Sequence, residues 1–123
     1  MNLRRPALLF TFAAASMFAA DPAVTQARKQ IAEKNYDAAI TGLQAATKSN
    51  PKSAEIKTTL VEAMLGKADS IMYNDALPPR TKYPDALRAY RQVLTVDKDN
   101  EKAKSNINTI EGIYKSMGRP IPQ

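Results

Sequence analysis

Three carboxylates, Glu55, Glu62 and Asp69, recur every seventh residue, a spacing that could place acid/base chemistry on one surface. Paired carboxylates cleave glycosidic bonds with retention when they stand about 5 Å apart and burial keeps one of them protonated. On a helix, seven residues make about two turns and about 10 Å, so these three line one face without forming such a pair. They read as a solvated acidic face. Asp97, Asp99 and Glu101 have the spacing that opens a calcium loop, but Lys102 stands at the required glycine and Asn108 at the bidentate glutamate. Arg80, Lys82, Arg88 and Arg91, with Tyr83 and Tyr90 between them, form a basic cluster that could contact an anion or a nucleic acid. Both tyrosines also fall on the apolar face of a helix, which assigns them to the core and leaves the arginines as surface charges.

The rest of the composition is poor in catalytic material. The chain has no His, Cys or Trp, which removes disulfides, thiolate nucleophiles and the commonest general base and zinc ligand. With four glycines it carries no nucleophile elbow, phosphate loop or dinucleotide fingerprint. The reading is a protein that is not an enzyme, with no catalytic residue, cofactor or metal.

A length of 123 residues sets one modest core and one domain. Arg4 and Arg5 precede an uncharged run from Ala7 to Ala20, too short to cross about 30 Å of hydrocarbon and suited to a secretory signal. Cleavage is expected after Ala20, with Ala15 or Ser16 as a second choice. The product is then exported, periplasmic or secreted, and meets the membrane only in transit; the competing reading is an uncleaved N-terminal anchor. The whole chain carries 18 basic and 12 acidic side chains, and loss of residues 1–20 leaves 16 against 12, a net charge of +4. That mild excess favours solubility over a dedicated nucleic-acid site.

Helical periodicity fills the remainder. Val24, Ala27 and Ile31 predict a first helix near residues 23–34, broken at Asn35. Ala39, Leu43 and Ala46 predict a second that runs to Ser49. Ser53 suits an N-cap, and Ile56, Leu60, Met64, Ala68, Ile71 and Met72 hold a long third stripe. Gly66 is its weak point, at about 1 kcal/mol relative to Ala, which packing on a neighbour can offset. Residues 74–82, with Pro78-Pro79, are expected to be a loop, and Pro84 to open a fourth helix carrying Ala86, Ala89, Tyr90, Val93 and Leu94. A last helix from Glu101 carries Ala103, Ile107, Ile110, Tyr114 and Met117, and Gly118 ends it. No segment alternates as a strand does, so the expected fold class is all-α.

The second and fourth helices open alike. Tyr36, Ala39, Leu43 and Ala46 align with Tyr83, Ala86, Tyr90 and Val93 at an offset of 47 residues, and each copy ends in a polar turn. With the aromatic residue, the alanine three places on and the closing Asn50-Pro51, the chain resembles the tetratricopeptide repeat family over residues 22–117. The second copy departs from that pattern, with Lys98 at the terminal proline, and the offset exceeds the family's period of about 34 residues through a longer third helix and the proline loop. The resemblance implies a right-handed stack of antiparallel hairpins, residues 23–49 and 54–96, with a capping helix at 101–117. It also implies protein binding in a concave groove lined by first helices. Arg28, Ile31, Thr58, Glu62, Leu65, Lys102, Ser105 and Asn106 would face a peptide or a partner helix there. Val24 and Glu62 stand where a carboxylate clamp would need Lys and Asn. Two hairpins are few for such an array, so either the long third helix makes up the shortfall or the first helix pairs with another copy. The class that competes with an exported adaptor is a small basic protein binding an anionic surface or nucleic acid through Arg80, Lys82, Arg88 and Arg91.

Overall fold

A computed structural model describes residues 21–123, so the leader and its cleavage sites lie outside the described residues. The described chain is all-α: α1 (Pro22–Ala32), α2 (Tyr36–Ser49), α3 (Ala54–Met72), α4 (Pro79–Val96) and α5 (Glu101–Ser116). Side-chain caps fix three starts. The Asp21 carboxylate accepts from the Ala23 N–H at 2.8 Å, the Ser53 hydroxyl from Ile56 at 3.2 Å, and the Asn100 side chain from Ala103 at 3.0 Å. Each satisfies a first-turn donor that has no intrahelical acceptor.

Two helix ends share one device. At the end of α5, Gly118 is left-handed (φ 64°), and the Arg119 and Gly118 N–H groups donate back to Tyr114 and Lys115. At the end of α1 the same pair of bonds runs from Asn35 to Gln30 and from Lys34 to Ile31, closing a Schellman turn. Here Lys34 holds the left-handed position (φ 59°), so α1 ends at Ala32 rather than at residue 34.

The expected start of α4 is wrong. Pro78 caps the helix and Pro79 is its first residue, while Pro84 lies inside it. A proline pair stops a preceding helix but also opens a following one, because the first positions have no intrahelical acceptor for the N–H they lack. Residues 79–82 are therefore helical, and the loop after α3 shortens to residues 73–78.

Helix α3 is the hub. It packs on α1, α2 and α4, while α1 also packs on α2 and α4 on α5. The core joins Val24, Leu43, Ile56, Leu60, Tyr90 and Ile110 with a layer of alanines, Ala39, Ala63, Ala68 and Ala86, that lets the helices approach closely. Equivalent places in the two similar segments are buried alike: Ala39 with Ala86, and Leu43 with Tyr90, at 0% exposure in each case. Tyr36 lies directly over Gly66, whose missing side chain makes the room. Met117, expected in the core stripe, is 49% exposed because it lies just past the end of α5. Thr59 is buried although polar, its hydroxyl donating to the Glu55 carbonyl at 2.8 Å.

Candidate partner-binding face

Glu55, Thr58, Glu62, Leu65 and Asp69 of α3, with Tyr73 at its C-cap, follow one another at steps of three and four, so they share a face. Neighbouring helices meet that face from two directions. From α1, the Arg28 guanidinium stands 3.7 Å from the Glu55 carboxylate. From α5, Lys102 Nζ donates to Asp69 at 2.5 Å, and the Tyr73 hydroxyl donates to the Asn106 side chain at 3.4 Å. Both helices advance four residues between these last two contacts, so α3 and α5 run parallel here.

Asp69 is the joint of the arrangement. While one carboxylate oxygen takes Lys102, the other accepts the Tyr90 hydroxyl from α4 at 2.5 Å. The phenol is held protonated far above its ordinary range, first by burial, then by the hydrogen bond to Asp69 and by the carboxylate's charge. One side chain thus ties α3, α4 and α5 together.

Of the residues expected at a groove, Arg28, Thr58, Glu62, Lys102 and Asn106 lie on or against this face. Ile31 and Leu65 are half-buried and pack on the core, so each offers only an edge. Ser105 is exposed, its carbonyl accepting from Thr109 at 3.1 Å, and nothing joins it to α3. Sequence reasoning missed Tyr73, which is 64% exposed at the end of the same stripe. Its place four residues after Asp69 was the available signal. The acidic residues are divided in role: Glu55 and Asp69 are paired within the chain, and Glu62 has no ion pair among the described residues.

A hollow of about 440 Å³ borders the face where Thr58 and Val61 meet Asp97 and Asn100 of the α4–α5 turn. Two further hollows, of about 350 and 440 Å³, adjoin on the other side of α3, between α2 and α4, with Leu60 as a shared floor.

The basic cluster does not form one surface. At about 100° per residue, Lys82 points away from the side shared by Arg80, Arg88 and Arg91. Arg88 pairs with Asp85 at 3.0 Å, and Arg91 donates to the Pro122 carbonyl at 2.7 Å and stands 3.5 Å from Glu111. Lys82 lies over the Tyr83 ring, 5.6 Å from its centre. Among the described residues no three acidic side chains converge as a metal site requires, and no helix is long and apolar enough to cross a membrane. Comparison with protein-family models, curated proteins and solved structures finds no match.

Proposed function

We propose that this chain is a non-catalytic, exported protein-binding module of the tetratricopeptide kind. Two helical hairpins, α1–α2 and α3–α4, stack with α5 as the cap, and the face shared by α1, α3 and α5 receives a peptide or a helix of a partner. The observation that carries this reading is the set of cross-helix contacts at Glu55, Asp69 and Tyr73, which brings side chains of α1 and α5 to one α3 face and leaves Thr58, Glu62 and part of Tyr73 open. Such a surface binds by covering apolar edges, here Leu65 and the Tyr73 ring, while rim charges set the register. Export rests on the charge-then-apolar order of residues 4–20.

The reading as an anion-binding or nucleic-acid-binding protein is weaker, because two of its four cations, Arg88 and Arg91, are engaged within the chain. Affinity capture from an envelope extract separates the two. Thr58→Arg and Glu62→Arg are expected to abolish partner retention while Gln44→Arg on the opposite side preserves it. Loss of retention only when Arg80, Lys82, Arg88 and Arg91 are neutralised contradicts the adaptor.

A further inference from the structure

The first turn of α4 and the last turn of α5 enclose a cleft of about 250 Å³ that the partner-binding face does not include. Its lining is Pro79, Arg80, Tyr83, Tyr114, Met117 and Arg119. No acid lines it, and neither arginine has an ion pair among the described residues, unlike Arg88 and Arg91 further along α4. The helix ends put both cations there. Pro79 starts α4 and places Arg80 in its first turn, next to the positive end of the helix dipole. Gly118 reverses the chain and the Arg119 N–H donates to the Tyr114 carbonyl at 3.0 Å, holding Arg119 beside the last turn of α5. The rest of the lining is two phenol rings, a proline ring and a thioether.

From this juxtaposition we infer a second binding site, for a small carboxylate with an aromatic body. Guanidinium groups match a carboxylate with parallel N–H donors, and the tyrosine rings and Met117 offer the apolar contact that a bare inorganic anion would waste. At about 250 Å³ the cleft falls just below the pockets of about 300–1,000 Å³ that hold drug-sized ligands, a size that suits one fused ring system.

The test is an NMR titration of the full chain, methyl-labelled at methionine, with 2-naphthoate, its neutral isostere 2-naphthamide, and inorganic phosphate. Naphthoate is expected to shift the Met117 methyl and the Tyr83 and Tyr114 ring signals saturably, and to bind at least tenfold more tightly than either control. Arg80→Gln and Arg119→Gln replace exposed side chains and should each weaken naphthoate binding about tenfold with unchanged thermal melting. Equal binding of the amide would show an apolar crevice only, and equal binding of phosphate a diffuse cationic surface only. Either result, or the absence of any shift with naphthoate, overturns the inference.

Discussion

Asp69 shows how one side chain can set the geometry of a surface. The contact with Lys102 is partly solvated, so by itself it contributes under about 1 kcal/mol. The bond from the Tyr90 hydroxyl differs, because the phenol is fully buried and its acceptor is charged. Tyr90→Phe should therefore cost about 1–2 kcal/mol in urea unfolding, and Asp69→Ala more, since it leaves that hydroxyl buried and unpaired. The sign of the alkaline response follows from the same contact. The folded state holds the Tyr90 proton more tightly than the unfolded chain does, so this stabilisation is complete below the ordinary tyrosine pKa of about 10 and is lost as pH rises beyond it. Urea midpoints measured below and above that pH should fall further for the wild type than for Tyr90→Phe. An equal fall in both would remove Tyr90 as the cause. At the turn after α1, Lys34→Gly should add a few tenths to about 1 kcal/mol, because lysine is strained in the left-handed region, against the greater unfolded-state freedom of glycine.

At the scale of the helices, the glycines inside them are expected to respond in opposite directions. A methyl group at Gly42 or Gly112 enters open space, so alanine at either should stabilise by about 0.5–1 kcal/mol. At Gly66 the methyl would collide with the Tyr36 ring, and alanine should destabilise by about 1–3 kcal/mol despite its better helix propensity. Thermal melts of the three variants check this, and stabilisation by Gly66→Ala would mean that Tyr36 does not rest there. The α3 stripe was legible in the sequence because Ile56, Leu60, Met64 and Ala68 repeat at a strict helical spacing and Ser53 marks the start. The start of α4 was not, because Pro78-Pro79 is compatible with a loop and with a first turn alike, and only the packing of α4 on α3 and α5 decides. Pro84 is left inside the helix, where it withholds a donor from the Arg80 carbonyl; Pro84→Ala should raise stability by about 1–2 kcal/mol. The candidate face was legible in part. Thr58 and Glu62 follow from periodicity, whereas the ties of Asp69 to Tyr90 and Lys102 join residues 21 and 33 positions apart, a separation that no local pattern reports.

For the molecule as a whole, the exposed sides of the outer helices are polar: Thr25, Gln26 and Lys29 on α1, and Asn108, Thr109 and Lys115 on α5. Tyr73 and Met117 are the large apolar side chains left exposed among the described residues. This pattern favours the long third helix over pairing of α1 with another copy as the source of stability. Light scattering on residues 21–123 is expected to give a monomer at high concentration. The proposed partner-binding face is then open to a direct trial. A photo-crosslinking amino acid placed at Thr58 in the α3 face, and in a parallel strain at Gln44 on α2, tests it in intact cells. A discrete adduct is expected from position 58 and none from position 44. Adducts from position 44 alone would contradict the assignment of the α1, α3 and α5 face to a partner.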